Sequence, residues 1–322
     1  MSAAPSPRPS YRWTDWTVED LLEAKRGRAT SVSLVLPARD EAPTVGGIVT
    51  RVREELVDRV PLVDEIVVID SDSSDATAAV ARDAGATVHA AAGVRPELGA
   101  RAGKGEAMWK SLFVTRGDLL VFMDADLTEW GPHFVTGLLG PLLAEDASLV
   151  KGFYDRPMGE VTSPRGELPS EGGRVTELVA RPLLALHWPD LAGVVQPLAG
   201  EWAVRRDLLE RLPVPSGYAV ELAVLVDAYE RLGLDAVAQV DLGLRRHGHQ
   251  ALRDLGVMAL QIQALVQART SGRPGPDELP LRQYDWATGA AVPLHRTVDL
   301  RERPPAVTVP GYGDRRQAVG PC

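Results

Sequence analysis

Asp124 and Asp126 stand one residue apart, directly after the apolar segment 119–123. This segment predicts a buried strand, and two carboxylates at its end can reach the same divalent cation. Such hard oxygen ligands suit Mg²⁺ or Mn²⁺, and the bound cation would neutralise a diphosphate. The alternative is a polar loop start that binds nothing. The position favours the metal site, because open α/β sheets bind ligands at the carboxyl ends of their strands.

Candidate nucleotide ligands follow two earlier apolar segments, 31–36 and 65–70, which also predict strands. The first segment leads into Pro37-Ala38-Arg39-Asp40-Glu41, and the second ends in Asp70-Ser71. Backbone groups and short carboxylates at these strand ends can hold the base and ribose of a nucleotide. Helix capping is the competing interpretation, through Asp40 or Glu41 in the first turn and through Ser74 or Asp75 in the second.

A loop with the sequence Arg101-Ala102-Gly103-Lys104-Gly105-Glu106 precedes a predicted helix. Its glycines permit close approach of the backbone, and Lys104 supplies a positive point charge for a phosphate. The loop is not a P-loop, because the spacing to a second glycine and the following Ser or Thr are missing. A solvated lysine is the alternative interpretation.

Two clusters in the second half suit anion and metal binding. Gly172-Gly173-Arg174-Val175-Thr176 places an arginine and a hydroxyl at a predicted helix N-terminus, where a phosphate or carboxylate can bind. The alternative is a capped helix with a surface arginine. In Arg245-Arg246-His247-Gly248-His249, the two alternating histidines point the same way and can complete a metal site begun by Asp126. Zinc is disfavoured, because the acidic motif suits a hard cation and no thiol is near.

Two further carboxylates have two possible roles. Glu201 ends the segment Gln196-Pro197-Leu198-Ala199-Gly200-Glu201, and Glu221 follows Tyr218-Ala219-Val220. Each stands beside small or aromatic residues, where sugar hydroxyls can be held. Ordinary packing explains the same spacing equally well.

Strands and helices alternate along the first half of the chain, which predicts a mainly parallel, Rossmann-like sheet with helices on both faces. We expect an arm over residues 1–28, with aromatic residues that dock on the main body. A nucleotide-sugar-binding half would cover 29–126 and a mixed α/β acceptor half 127–270. Eight of the 25 prolines fall in residues 271–322, so this segment is expected to be an irregular tail that wraps the body or reaches a partner subunit.

The composition excludes several classes of protein. The chain has 35 Lys and Arg against 44 Asp and Glu, a net charge of -9, so it lacks the positive field of a nucleic-acid-binding protein. No apolar run reaches the roughly 18–20 residues that span a bilayer, and the N-terminus does not resemble a signal peptide. Cys322 is the single cysteine, which suits a reducing compartment. We therefore expect a cytoplasmic protein that binds neither membranes nor nucleic acids.

Several motifs occur in a specific order along the chain, between about Trp13 and Pro305. They are Leu-Pro-Ala-x-x-Glu at 36–41, Gly-Lys-Gly-Glu-Ala-x-Trp at 103–109, Asp-x-Asp at 124–126, Gly-Gly-Arg-Val-Thr-Glu-Leu-Val-Ala-Arg-Pro-Leu-Leu at 172–184, Gln-Pro-Leu-x-Gly-Glu at 196–201, Gly-Tyr-x-Val-Glu at 217–221 and Arg-x-His at 245–247. With these motifs the chain resembles the actinobacterial glucosyl-3-phosphoglycerate synthases, which are retaining GT-A glycosyltransferases.

The resemblance implies transfer of glucose from UDP-glucose to the 2-hydroxyl of 3-phosphoglycerate by a metal-dependent homodimer. It implies that the nucleotide sugar is bound by Pro37, Ala38, Arg39, Glu41, Asp70, Ser71, Lys104, Asp124, Ala125, Asp126, Glu221 and Arg245. The acceptor would be held by Gly173, Arg174, Thr176 and His249, and the Mg²⁺ or Mn²⁺ by Asp124, Asp126 and His247. The catalytic groups would be Lys104, Glu221, which orients the glucose, and Leu198, whose backbone carbonyl lies near the attacking hydroxyl.

The sequence departs from the family pattern at two positions. Asp40 stands where the family has an asparagine and adds a negative charge near the nucleotide, and His249 replaces an asparagine beside the acceptor. A related transferase with another donor or another anionic acceptor is therefore the second hypothesis. A nucleotide-sugar-binding protein without turnover is the third. A nucleotidyltransferase is disfavoured, because Pro37-Ala38-Arg39-Asp40 occupies the place of its glycine-rich loop.

Overall fold

The computed structural model describes residues 10–155, 173–245, 251–287 and 289–313 of the 322-residue chain. The strands are β1 (Ser10–Arg12), β2 (Val32–Ala38), β3 (Glu65–Asp70), β4 (Thr87–Ala90), β5 (Leu119–Phe122), β6 (Leu149–Asp155), β7 (Trp202–Arg205), β8 (Val214–Pro215), β9 (Val237–Leu244), β10 (Glu278–Ala287), β11 (Ala290–Asp299) and β12 (Glu302–Arg303). The helices are α1 (Val18–Gly27), α2 (Val45–Arg53), α3 (Thr77–Asp83), α4 (Lys104–Ser111), α5 (His133–Ala144), α6 (Arg181–His187), α7 (Arg206–Leu209), α8 (Val220–Leu232) and α9 (Leu252–Ser271). π-helical segments extend α2 over Glu54–Arg59 and precede α6 over Thr176–Ala180.

One eight-stranded sheet runs through both halves of the chain, in the order β1-β9-β6-β7-β5-β2-β3-β4. All neighbouring strands are parallel except β7, which runs antiparallel to both β5 and β6. The predicted mainly parallel sheet is therefore confirmed. The antiparallel β7 joins the strands of the first half to those of the second in the same sheet.

The apolar side chains of the sheet pack into two layers, one on each face. Along β2, Leu34 and Leu36 pack with residues of α2 and α5, whereas Val35 packs with residues of α4 and α8. Successive residues of a strand point to opposite faces, so a strand that is apolar at every position needs helices on both sides. This burial explains why the central strands are continuous apolar runs.

Among the described residues, no helix is long and apolar enough to cross a membrane.

The predicted docking of the N-terminal arm is confirmed. Strand β1 pairs in parallel with the edge strand β9, and α1 follows with Thr17 as its N-cap. The ring of Trp16 lies so close to Gly140 of α5 that a Cβ at position 140 would be 2.2 Å from Trp16 Cε3. A glycine at this point of α5 lets the arm lie directly on the helix backbone.

The expectation of an irregular C-terminal tail is wrong for residues 278–299. Strands β10 and β11 form a ten-residue antiparallel hairpin, from the pair Glu278 and Asp299 to the pair Ala287 and Ala290. Two strands without further neighbours leave one edge of each strand unpaired, so Pro280 and Pro293 are tolerated although neither can donate a backbone hydrogen bond. The prolines of this segment are therefore compatible with edge strands and do not indicate that strands are absent.

After the hairpin, the chain wraps the body as predicted. Strand β12 pairs with β8, and the guanidinium of Arg303 makes two hydrogen bonds to the buried carboxylate of Glu106, at 2.6 and 2.7 Å. The indole of Trp109 donates to Pro304 O at 2.8 Å, and the hydroxyl of Tyr312 donates to Glu210 Oε2 at 3.0 Å. The contacts of Arg303 and Pro304 bind the segment to helix α4, which begins at Lys104, and the contact of Tyr312 binds it to the C-cap residue of α7.

We expect Gly140→Ala to lower the free energy of unfolding by about 1–3 kcal/mol, because the new methyl group must displace the Trp16 ring. The matched control is Gly47→Ala in α2, where a Cβ would meet no atom within 4 Å. That variant should gain up to about 1 kcal/mol from helix propensity alone. Urea denaturation measures both. Equal effects of the two substitutions would contradict the docked arm.

Candidate active site

The carboxyl ends of several strands meet at one edge of the sheet and bring the predicted site residues together. Ala38 and Asp70 end the neighbouring strands β2 and β3, and Ser71 N donates to Ala38 O at 2.9 Å. Asp124 follows β5 by two residues, and Arg245 follows β9 directly. The predicted location at this edge is therefore confirmed for Asp124.

Asp124 is the centre of an ion-pair network. Lys104 Nζ lies 2.5 Å from Asp124 Oδ1 and 2.8 Å from Glu221 Oε1, while Arg245 Nη2 lies 2.6 Å from Asp124 Oδ2. The side chain of Arg245 is 3% exposed, so its positive charge is shielded from water. Burial alone lowers the pKa of Lys104, but the charges of Asp124 and Glu221 outweigh this effect and raise it. The lysine is therefore held in its charged form.

Asp126 differs from Asp124 in having an unsatisfied buried oxygen. Its Oδ1 makes no hydrogen bond, and the nearest cation, Arg245 Nη2, is 3.8 Å away. Burial and the neighbouring Asp124 charge raise the pKa of Asp126. A buried carboxylate oxygen without a partner is costly unless a ligand satisfies it. Together with the hard oxygen donors of the Asp-x-Asp motif, it fits a divalent cation such as Mg²⁺ or Mn²⁺.

Two contacts fix the loop that carries these carboxylates. The hydroxyl of Thr44 donates to Ala125 O at 2.6 Å and ties the loop to the beginning of α2. On the other side, Gly200 admits the carboxylate of Asp124, since a Cβ at position 200 would be 2.3 Å from its Oδ2. The buried Ala125 and its two acidic neighbours are thus held between segments from both halves of the chain.

Gly103 and Gly105, which flank Lys104, allow two segments of protein backbone to approach each other closely. From the sequence, these glycines were expected to allow close approach to a phosphate. A Cβ at Gly105 would lie 1.8 Å from Pro215 O, and one at Gly103 would lie 2.4 Å from Ser216 O. Glu106 N donates to Ser216 O at 2.9 Å. The first turn of α4 is thereby packed against the segment that leads into α8, and this packing brings Lys104 to Glu221.

The turn after β2 is cross-linked to the turn after β3, and Asp40 makes the link. Asp40 has a left-handed backbone with φ 58°, and its Oδ1 accepts hydrogen bonds from Ser74 N at 2.6 Å and Ser74 Oγ at 3.0 Å. Asp40 N in turn donates to Ser73 Oγ at 3.0 Å. The hydrogen bonds that the carboxylate accepts from Ser74 lower the pKa of Asp40. Its carboxylate therefore serves the loop structure, which the sequence pattern did not indicate.

Some of the other residues of these two turns make hydrogen bonds within the turns, and others are half-buried or exposed without a described role. Ser73 Oγ donates to Asp70 Oδ1. The predicted N-cap of α3 by Ser74 or Asp75 is wrong, because Ala76 is the N-cap residue and makes no side-chain cap hydrogen bond, while Asp75 Oδ1 accepts from Thr77 N at 2.9 Å from one position earlier. Pro37 and Ser71 are half-buried and Arg39 is exposed. Burial raises the pKa of Glu41 to about 7, and the nearby charges of Asp126, Asp124 and Asp75 add to the effect. Glu41 thus belongs to the same acidic group as the Asp-x-Asp motif.

Glu201 does not face a sugar site. It is fully buried, accepts a hydrogen bond from Tyr154 OH at 2.6 Å through Oε2, and lies 3.0 Å from Arg245 Nη2 through Oε1. The Arg245 guanidinium also lies 5.0 Å from the centre of the Tyr154 ring. Packing, the second of the two interpretations, is therefore correct for Glu201. Tyr154 was not a sequence candidate, because an aromatic residue in an apolar strand carries no signal of its partner.

The remaining candidates lie in the second half. Gly173 has φ 91° and precedes the exposed Arg174 and the buried Thr176, at the beginning of the π-helical segment. Leu198 is half-buried in the turn before β7. Gly172, His247 and His249 lie outside the described residues, so the predicted metal ligand and acceptor ligand among them stay predictions. Within the part of the chain that the structure describes, no three Asp, Glu, His or Cys residues form a complete metal site.

Comparisons with known proteins match this architecture over nearly the whole chain. The model of the family described as "Glycosyl transferase family 2" matches residues 33–210. The glucosyl-3-phosphoglycerate synthase of Mycolicibacterium paratuberculosis is 44% identical over 309 residues, which cover 92% of this chain and 89% of that protein. The synthase of Petrotoga mobilis is 39% identical and covers 92% of this chain and 93% of its own length.

Solved structures agree with the sequence relatives. The glucosyl-3-phosphoglycerate synthase of Mycobacterium tuberculosis in complex with Mn²⁺, UDP and phosphoglyceric acid superimposes with a TM-score of 0.83 at 41% identity, covering 95% of this chain and 99% of that one. A second structure of that enzyme contains Mn²⁺, UDP-glucose and phosphoglyceric acid, with a TM-score of 0.82 at 42% identity. The predicted GT-A fold is therefore confirmed. The chain belongs to glycosyl transferase family 2 and, within it, to the glucosyl-3-phosphoglycerate synthases.

Proposed function

We propose that this protein transfers the glucosyl group of UDP-glucose to the 2-hydroxyl of 3-phosphoglycerate, with retention of configuration and with Mg²⁺ or Mn²⁺. The observation that carries the proposal is the Asp124 network at the carboxyl edge of the sheet, where Lys104, Glu221 and Arg245 converge beside the unsatisfied Oδ1 of Asp126. The relatives that bind these substrates share this fold over nearly their whole length.

The donor would lie across the ends of β2, β3 and β5. We propose that the two cross-linked turns hold the uridine, and that Asp124 and Asp126, with His247, hold the cation. The proposed contacts to the nucleotide sugar are Pro37, Ala38, Arg39, Glu41, Asp70, Ser71, Lys104, Asp124, Ala125, Asp126, Glu221 and Arg245. When bound, the cation neutralises charge that develops on the departing diphosphate.

The protein's own groups supply orientation and electrostatic stabilisation. Lys104 Nζ stands between Asp124 and Glu221, so it can stabilise the leaving diphosphate at the point where that group joins the sugar. Glu221 would accept a hydrogen bond from a glucose hydroxyl, and the carbonyl of Leu198 would face the attacking hydroxyl. The acceptor oxygen attacks on the face from which the diphosphate leaves, so the protein needs no nucleophile and acts by positioning.

The acceptor half would hold the phosphate and carboxylate of 3-phosphoglycerate through Gly173, Arg174, Thr176 and His249. The division into a nucleotide-sugar half at 29–126 and an acceptor half at 127–270 remains part of this proposal.

The second candidate is a related transferase with another donor or another anionic acceptor. It is favoured by one observation, the histidine at position 249 where the family has asparagine. The hydrogen bonds of Asp40 remove the corresponding argument at the nucleotide end.

We also propose a homodimer formed by the β10–β11 hairpin, and a cytoplasmic location. Tyr284 and Trp286 lie on one face of the hairpin and are 53% and 76% exposed. Their cross-strand partners, Pro293 and Ala291, extend the same apolar face. Exposed apolar patches of this kind commonly bind a second protein surface.

The proposed cytoplasmic location is based on the substrates, which are anions that do not cross a bilayer unaided.

We expect the purified protein with Mg²⁺ and UDP-glucose to release UDP only when 3-phosphoglycerate is added, and to form an α-linked product detectable by NMR. Asp126→Ala should lower turnover by roughly 100-fold or more, because a metal ion supplies several kcal/mol of charge stabilisation. The control is Asp83→Ala, which removes an exposed carboxylate at the end of α3. Undiminished turnover of Asp126→Ala would refute the metal site. Turnover with another acceptor alone would support the second candidate.

Arg174→Ala should raise the KM for 3-phosphoglycerate by roughly 10- to 100-fold, since a hydrogen bond to a charged group contributes about 1.5–3 kcal/mol. The KM for UDP-glucose should stay unchanged. Arg211→Ala removes an exposed arginine elsewhere on the surface and serves as the control. Steady-state kinetics with each substrate varied in turn measures the effect. A change in the donor KM alone would assign Arg174 to the nucleotide site.

Replacing both Tyr284 and Trp286 by glutamate should convert the proposed dimer to a monomer, because the charges cannot be buried in an apolar interface. Sedimentation equilibrium measures the mass. Val292→Glu is the control, because Val292 pairs with Asp285 and lies on the opposite face of the hairpin. A monomeric wild-type protein, or a double variant that remains dimeric, would refute this interface.

A further inference from the structure

Lys151 is a buried lysine that has no role in the proposed chemistry so far. It lies in β6 with 1% of its surface exposed, and its cross-strand partners are Trp202 in β7 and Gln239 in β9. Its Nζ donates to Ala199 O at 2.9 Å and lies 5.7 Å from the centre of the Trp202 ring. Lysine is almost never buried to this degree without a specific partner.

Stability does not explain an amine at this position. Burial lowers the pKa of Lys151 to about 7, with the Lys104 charge acting in the same direction and the Glu221 and Glu201 charges opposing it. A methionine would fill the same space between the strands without the cost of removing an ammonium group from water. The amine must therefore do something that an apolar side chain cannot do. Its one described hydrogen bond, to Ala199 O, points to the turn before β7.

The carbonyl that Lys151 holds belongs to the turn that lines the site. Ala199 lies between Leu198, whose carbonyl is proposed to face the attacking hydroxyl, and Gly200, on which the Asp124 carboxylate packs. Further hydrogen bonds hold the rest of the turn. Ala199 N donates to Gln196 O at 3.0 Å, and Gln196 Nε2 donates to Tyr154 O at 2.6 Å.

We propose that Lys151 is a positioning residue, which fixes the turn from Leu198 to Gly200 through the carbonyl of Ala199. The turn in its fixed place would present the Leu198 carbonyl to the reacting centre and leave room for the Asp124 carboxylate. This inference rests on the proposed glucosyl transfer. Because Lys151 touches neither substrate in that scheme, its loss should affect the transition state more than the binding of donor or acceptor.

The experiment compares Lys151→Met with Lys25→Met in the full-length protein. Lys25 is also buried, and its Nζ donates to Pro61 O at 3.0 Å and to Asp64 Oδ1 at 2.8 Å, but these contacts lie at the amino ends of the strands, away from the site. Both variants lose a buried amine. We expect Lys151→Met alone to lower kcat, by roughly 10- to 100-fold, since displacements of about 1 Å at a reacting centre have effects of this size.

Two further readouts separate positioning from a general loss of structure. The KM values for UDP-glucose and 3-phosphoglycerate should stay within about threefold of wild type. The affinity for UDP with Mg²⁺, measured by calorimetry, should also be unchanged. If the methionine variant does not fold, Lys151→Gln must show the same separation of kcat from KM, because the amide keeps a polar group in the strand.

Three results would overturn the inference. They are an unchanged kcat in a folded variant, an equal loss of kcat in Lys25→Met, and a fall in UDP affinity that accounts for the lost activity. A wild-type protein that transfers no glucose to 3-phosphoglycerate would instead refute the proposed function. The two failures are therefore distinguishable, because the first is seen only in the variants and the second in the wild type.

Discussion

The carboxylate of Asp124 is the interaction on which the site depends. Lys104 from α4, Arg245 after β9 and Gly200 before β7 all meet it, so one side chain joins segments that are far apart in sequence. An acidic protein that binds an anionic donor and an anionic acceptor must concentrate its positive charge locally. The positively charged side chains of Lys104 and Arg245 both lie against Asp124. Partial burial makes their interaction with its carboxylate stronger than it would be in water.

Burying these charges requires further buried polar groups around them. Arg245 is held by Glu201, and Glu201 by Tyr154, while Lys151 holds the turn that contains Gly200. Each group satisfies a neighbour that would otherwise be buried without a partner. The apolar layers on both faces of the sheet keep water away from this network. The wrapped C-terminal segment adds a second buried pair, Arg303 with Glu106, below the Lys104 loop.

Most of the fold could be predicted because its signals are local. The strand predicted over residues 65–70 has these bounds, and the strands predicted over 31–36 and 119–123 differ from the observed ones by at most two residues at either end, since apolar runs are read from neighbouring residues. The C-terminal hairpin was missed, because prolines are equally compatible with loops and with edge strands. The role of Asp40 was missed as well, because its partner Ser74 is 34 residues away and the type of residue does not reveal the contact.

The sequence by itself determined the fold class, the position of Asp124 and Asp126 at a strand end, and the family, because each depends on residue order alone. Only the tertiary structure decided which charges are paired. Lys104 and Glu221 are 117 positions apart and meet because Gly103 and Gly105 allow α4 to pack on the segment before α8. Glu201 and Glu221 have similar surroundings in sequence, but one holds a buried arginine and the other meets Lys104 in the site. Such differences arise from packing between distant segments, which no local pattern contains.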